Sequence, residues 1–262
     1  MLDKEKLTSH IRDIEIKSVM IKNISKVEGV LENYDIRSTD FLDPFQRKTL
    51  INIIRGIDGI SFHEEGGSSD AERKLIQIYP DYFEKSDTLE AIQPLKVEGS
   101  FKFNSVSHRD YLGSLLGLGI TKEKIGDIYV HEDCAYIIAD KKISEYIFFN
   151  LSKISKESVR LKKINISQII KNEEKYKEKI VTISSLRADN IIAEIFNLSR
   201  AKAQNLISSE RLKIDFEPIL SNSKEIKEGS LISLRGYGRA IFLEVLNETR
   251  KGKIRAKIKI IL

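Results

Sequence analysis

Ser199-Arg200-Ala201-Lys202-Ala203 with Leu206-Ile207, then Arg211-Leu212-Lys213-Ile214-Asp215-Phe216, and beyond Glu228-Gly229 the run Arg235-Gly236-Tyr237-Gly238-Arg239, follow one another within the last third of the chain. Ser199 is an N-cap with Arg200 at the first helical position, and Ala203, Leu206 and Ile207 turn one face of that helix inward as far as about Ser208. Residues 186–196 predict a preceding helix with Arg187 at its start. Leu212-Lys213-Ile214 is a short strand entering a turn at 215–218. Glu228-Gly229 is a tight turn into the strand Leu231–Leu234. Residues 253–260 alternate strictly, with Lys253, Arg255, Lys257 and Lys259 on one face and apolar residues on the other. As a strand they pair with 240–246 across the polar turn 247–252, giving short helices against a small sheet.

Basic residues recur at the starts of these elements, where a polyanion can be gripped. A helix N-terminus carries unpaired N–H groups and the positive end of the dipole, so Ser199, Arg200 and Lys202 make a phosphate site, and Arg187 lines the same surface. The simpler reading of Ser199 is capping, and that of Arg187 is an ion pair with Asp189 or Asp215. In 235–239, Gly236 and Gly238 allow close backbone approach, Tyr237 stacks on a base or ribose, and Arg235 and Arg239 fork onto phosphate. Here the competing reading is a β-turn with incidental charges. Lys213 completes the candidate set. The tail lysines either touch RNA or are solvated and guard an edge strand.

Charge separates this third from the rest. Residues 181–262 hold 15 Lys and Arg against 9 Asp and Glu, a net of +6, whereas 1–180 hold 29 against 30. A basic domain beside a neutral one is the footprint of nucleic-acid binding, although a Lys-rich solvated surface produces the same count. The single cysteine, Cys134, excludes an internal disulfide and a multi-cysteine zinc site, and its apolar neighbours predict a buried, inert thiol. The charged N-terminus is not a signal peptide, and no apolar run is long enough to span a bilayer, so a cytoplasmic location is expected.

Upstream, Leu7, Ile11, Ile14 and Met20 predict an amphipathic helix. Asp43 caps a second helix with Pro44 at its first position, Leu50, Ile53 and Ile54 as its stripe, and Gly56 as its stop. Residues 60–63 alternate as a strand, and 66–70 are a loop. Further strands are expected at 75–79, 95–103, 127–131, 135–139 and 159–164. Helices are expected at 107–116, with glycines 113, 117 and 119 allowing close packing on the sheet or close backbone approach, and from Asp140 through Ile154. From Leu95 the order is βαββαβ, the ferredoxin-like arrangement. The charged connector 172–179 marks a boundary. The expected class is α+β: a mostly helical region at 1–72, a ferredoxin-like domain at 73–172 and a basic domain at 181–262.

Residues 183–241 resemble the ribosomal S-four-type, or alpha-L, RNA-binding domain. Leu186-Arg187-Ala188-Asp189, Ser199-Arg200 with Ala203, Leu206-Ile207, Leu212-Lys213-Ile214-Asp215 and Glu228-Gly229 carry the likeness. The glycine usual before the strand is Glu210 or Arg211 here, and the usual Asn-Gly turn is Asp215-Phe216. The chain as a whole resembles the YlmH-like proteins of Gram-positive bacteria. This rests on Phe41-Leu42-Asp43-Pro44, Gly66-Gly67 with Ala71-Glu72-Arg73, residues 107–113 and 116–120, Ile125-Gly126-Asp127-Ile128 and residues 235–239. The resemblance implies a non-enzymatic RNA-binding protein acting on the ribosome near the large subunit and tRNA, with a role in rescuing stalled translation. Partners are then structured rRNA, with tRNA a further candidate, and no membrane, the chain being monomeric off the ribosome. The family's genes often neighbour cell-division genes, which leaves a division-linked interaction module as another reading.

His108-Arg109-Asp110 is where catalysis would hide. A kinase loop needs Asn five residues after the Asp, where Leu115 stands, and no glycine-rich loop accompanies it. A pseudouridine synthase would use Asp110, but the leucine expected between Arg and Asp is missing. The plainer account has Ser107 or Asn104 capping a helix, Asp110 in its first turn, and His108 and Arg109 available as a second RNA contact. The four histidines have no ligand spacing, so neither a metal nor a cofactor is expected.

Overall fold

The computed structural model describes residues 1–99, 101, 106–172 and 175–262, in two compact units, Met1–Asn172 and Glu173–Leu262. It is a mixed α and β structure.

In the first unit, α1 (Lys4–Thr8) and α2 (Ile14–Asn33) replace the single expected helix. The chain breaks between them because Asp13 caps α2, accepting from the Ile16 N–H at 2.9 Å. Ile14 therefore lies outside the stripe and is 85% exposed, while Met20, Ile24, Val27 and Val30 are fully buried. Each such side chain contributes about 1.5–3 kcal/mol. After β1 (Arg37–Ser38), α3 (Pro44–Ile54) starts as expected: Asp43 Oδ1 accepts from the Gln46 N–H at 2.8 Å, and Gln46 returns the bond to the Asp43 N–H. Strands β2 (Ile60–Glu65) and β3 (Leu75–Pro80) follow, and β3 is central in the antiparallel order β1-β3-β2. The strand at Leu75 thus belongs to the first sheet, which extends past residue 72 into the region read as the second domain; Ile60 pairs with Pro80 and Glu65 with Leu75.

The second sheet of this unit holds β4 (Ile92–Gly99), β5 (Ile125–Val130), β6 (Cys134–Asp140), β7 (Lys153–Ile154) and β8 (Glu157–Lys163), in the order β5-β6-β4-β8-β7. Helix α4 (His108–Gly117) lies between β4 and β5, and α5 (Lys141–Asn150), capped by Asp140, between β6 and β7. Tyr111, Leu115 and Ile147 from these helices share a core with Leu95, Val97, Ala135 and Ile137. The expected strand end at 103 and the alternative cap Asn104 lie outside the described residues. Ile154 belongs to β7, not to α5. Gly113 and Gly117 face open space, so the close packing expected of them does not occur, and Gly119 turns with φ +80°. Cys134, the first residue of β6, is half-buried, not fully buried as expected.

The two sheets of this unit meet at a seam. Asp127 accepts from the backbone N–H groups of Glu72 (2.8 Å) and Arg73 (3.0 Å), and Arg73 Nε donates to the Ile125 carbonyl at 2.9 Å. A Cβ on Gly126 would lie 2.7 Å from the Phe41 ring. Phe41, Arg73, Gly126 and Asp127, four of the residues on which the likeness to the YlmH-like proteins rests, therefore serve assembly.

The second unit is a six-stranded antiparallel sheet, β11-β10-β12-β13-β14-β9. Its strands are β9 (Tyr176–Ile183), β10 (Leu212–Ile214), β11 (Glu217–Pro218), β12 (Leu231–Leu234), β13 (Gly238–Glu248) and β14 (Ile254–Ile261). Helices α6 (Ala188–Ile195) and α7 (Arg200–Ser208) bury Ile191, Ile192, Ala203 and Ile207 against Ile232, Leu234, Phe242 and Ile258. The end of the expected connector is strand: residues 176–179 belong to β9, which pairs with β14, so this unit begins before residue 181. The run of charges hides the strand, since β9 lies at the sheet edge, where Glu178 pairs with Lys257 at 3.0 Å. Strand β14 lies inside the sheet, so its lysines do not guard an edge.

Candidate nucleic-acid interface

The sequence places Ser199 correctly: its Oγ accepts from the Lys202 N–H at 3.2 Å, and Arg200 opens α7. What organises this end is a residue read from sequence only as a partner for Arg187. Asp189, in the first turn of α6, has no exposed surface. Its Oδ1 accepts from Arg187 Nε at 3.2 Å, and its Oδ2 accepts from Arg200 Nε at 3.1 Å and from Gln204 Nε2 at 2.9 Å. Burial pushes the Asp189 carboxyl up, but the bonds from Gln204, Arg187 and Arg200 outweigh it and hold it at about 2. The carboxylate is charged at neutral pH and anchors two arginines side by side, each still partly exposed, at 38% and 57%. The ion pair weighed for Arg187 is therefore present with Asp189. Asp215 instead accepts from the Leu231 N–H at 2.8 Å. Gln204 was missed; its spacing of one helical turn from Arg200 was the available signal.

Tyr237 joins the same group. Lys202 Nζ lies 5.6 Å from its ring centroid and the Phe196 ring 6.2 Å away. Gly236 and Gly238 flank it with φ of +89° and +120°, a backbone that a side chain strains, and a Cβ at either would meet nothing. The turn is thus built for conformation, with open space around it. Arg235 is exposed in this turn.

Lys213 and Arg239 stand elsewhere. Lys213 is opposite Ser233, and Ser233 opposite Arg239. Directly opposed residues share a sheet face, and this face is the one turned away from α6 and α7. Arg239 covers the Phe216 ring at 5.4 Å. Asp215 and Phe216 take φ of 51° and 68°, the left-handed pair that a two-residue hairpin turn needs. The candidates thus divide into a helix-side group (Arg187, Ser199, Arg200, Lys202, Tyr237) and a group on the open face (Lys213, Arg239).

In the first unit, His108 and Arg109 are exposed in the first turn of α4. Asp110 is engaged: its Oδ2 accepts from the Ser107 N–H at 2.8 Å and from Ser107 Oγ at 2.6 Å, bonds that hold its carboxyl below the usual range. That is the cap reading, and an acid so stabilised makes a poor base. Among the described residues no group of His, Cys, Asp and Glu is set to hold a metal ion, and no helix is long and apolar enough to cross a membrane.

Residues 89–168 match the family described as "Putative RNA-binding domain in YlmH". That span covers the second sheet of the first unit, ahead of the basic unit in which the sequence makes its strongest case for RNA. A solved structure, "Cell division protein ylmH from Streptococcus pneumoniae", superposes with a TM-score of 0.51 at 28% identity, covering 60% of this chain and 96% of that one. The "Ribosome-associated protein quality control protein P2" of Bacillus subtilis (strain 168) is 30% identical over 226 residues, 86% of this chain and 88% of that protein. A likeness sustained over that much of both chains shows that this chain belongs to the YlmH-like family.

Proposed function

We propose that the chain is a non-catalytic RNA-binding protein of the cytoplasm that acts as a monomer on the ribosomal large subunit, at rRNA and tRNA, in the rescue of stalled translation. The observation that carries this reading is the Asp189 clamp, which presents Arg187 and Arg200 beside the Ser199-capped N-terminus of α7, with Lys202 and Tyr237 adjoining. The name of the Bacillus relative and the description of the matched family support it. We assign Glu173–Leu262 to the S-four-type fold and residues 92–163 to the ferredoxin-like fold. The order β5-β6-β4-β8, antiparallel throughout with α4 and α5 on one face, supports the latter. His108 and Arg109 make the second contact.

The test is co-sedimentation with purified ribosomes across a salt series. Binding weakens steeply with salt, because released counterions drive it. The folded variant R200E/R239E stays in the supernatant; co-sedimentation equal to wild type overturns the reading. The name of the pneumococcal relative favours a second reading, a cell-division interaction module. Retention of a division phenotype after removal of residues 173–262 would favour it.

A further inference from the structure

Four lysines of the first unit converge near its seam. Lys22 and Lys26 come from α2, Lys124 from the turn at 122–124, and Lys142 from the first turn of α5. They surround two buried aspartates, Asp40 and Asp140, which are 8% and 6% exposed. Lys22 Nζ donates to Asp40 Oδ2 at 2.7 Å. Lys124 Nζ bridges Asp40 Oδ1 at 2.8 Å and Asp140 Oδ2 at 2.7 Å. The remaining oxygen, Asp140 Oδ1, accepts from the Lys142 backbone N–H at 2.9 Å. Lys26 Nζ donates to the Ser38 carbonyl at 2.8 Å.

Every carboxylate oxygen is thus taken: the Lys22 and Lys124 ammonium groups bond the two carboxylates, and Lys26 and Lys142 add two more positive charges nearby. An ammonium has three donors, and these bonds use one each from Lys22 and Lys26. Among the described residues the Lys142 ammonium makes no hydrogen bond or ion pair. Burial, together with the positive neighbours Lys22, Lys124 and Lys142, pushes Lys26 down to about 8 despite Asp40. The mutual repulsion of like charges is relieved by an anion. Lys124 is explained as the tie between the aspartates. Lys142 and the 63% exposed Lys22 are surplus to that tie. They stand open at the surface, which suits a phosphate on a long backbone.

We propose that Lys22, Lys26 and Lys142, gathered around Asp40 and Asp140, form a site for a backbone phosphodiester of RNA. The site rests on the RNA-binding reading above and adds a contact from residues outside His108 and Arg109. The test uses the full chain and fluorescein-labelled ribosomal RNA, with affinity measured across a salt series. Each lost phosphate contact lowers the slope of log affinity against log salt by about 0.7–0.9. K22Q/K142Q therefore loses about 0.7–0.9 from that slope, while the equally charged control K6Q/K156Q does not. K142Q alone, which gives up no ammonium contact, keeps the test valid if the double variant is destabilised. Slopes equal to the control in both variants overturn the site and leave the RNA-binding reading standing. Absence of RNA binding by the wild-type chain overturns both. Thermal stabilisation by inorganic phosphate without a slope change assigns the cluster to a free anion and overturns its assignment to RNA.

Discussion

Arg200 Nε stands 3.1 Å from Oδ2 of Asp189, a carboxylate with no exposed surface. The arginine that opens α7 is thereby fixed by a residue of α6, and Arg187 is fixed by the same group. Arg200, held through Nε alone, keeps its other donors for a phosphate, and Arg187, held through Nε and Nη2, keeps the remainder of its fork. Asp189→Asn retains the shape and removes the charge. It is expected to lower the stability of the second unit by about 1–3 kcal/mol, read by urea unfolding, and to weaken ribosome co-sedimentation further than Gln204→Ala does. Wild-type binding by a folded Asp189→Asn chain would count against the clamp.

Acid unfolding carries the signature of that carboxylate. Its folded value of about 2 lies below the unfolded value of about 3.9. The stabilisation is fully present above about pH 5 and is lost as pH falls through 4 toward 2, amounting to about 2 kcal/mol. Asp40, also held at about 2, adds the same sign in the first unit. Thermal unfolding of Asp189→Asn between pH 5 and 2 should show a shallower fall for the second unit than wild type.

Gly126 is constrained by contact. A Cβ there would stand 2.7 Å from the Phe41 ring, so Gly126→Ala must displace Phe41 from the seam. The expected cost is about 1–3 kcal/mol by denaturant titration. Phe41→Leu combined with Gly126→Ala should recover part of it if the clash is the cause.

Gly113 and Gly236 should respond with opposite signs. Both would place a Cβ in open space, but Gly113 is inside α4 whereas Gly236 has φ +89°. Gly113→Ala is expected to stabilise by roughly 0.5–1 kcal/mol through helix propensity. Gly236→Ala is expected to destabilise by about 1 kcal/mol through backbone strain. Melting temperatures of the two variants decide it.

Lys124 ties two buried carboxylates. Lys124→Met leaves Asp40 with Lys22 alone and Asp140 without its ion pair, at an expected cost of about 3 kcal/mol. The loss should shrink as pH falls toward 2, where Asp40 protonates.

Local signals were legible before the fold was known. Asp43-Pro44 starts α3, Ser199-Arg200 starts α7, and the alternation at 253–260 makes β14, because capping and periodicity depend on residues a few positions apart. The same local reading failed at Asp13, where one capping aspartate divides a stripe that looks continuous. It also failed at 176–179, where an edge strand carries the charges of a linker. The first is a local cap masked by the apolar spacing around it, whereas the second involves a charge whose partner, Lys257, is distant in sequence.

The sequence by itself determined where most helices and strands begin, the basic balance of the last third, and the motifs that mark the family. Tertiary structure alone decided that Leu75 completes the first sheet, that Phe41, Arg73 and Asp127 serve a seam, and that Lys213 and Arg239 lie on a different face from Arg200. It also decided that Asp189 would be buried between two arginines. The reason is physical: capping and periodicity are set by near neighbours, whereas burial of a charge and the sharing of a sheet face depend on which distant segments pack together.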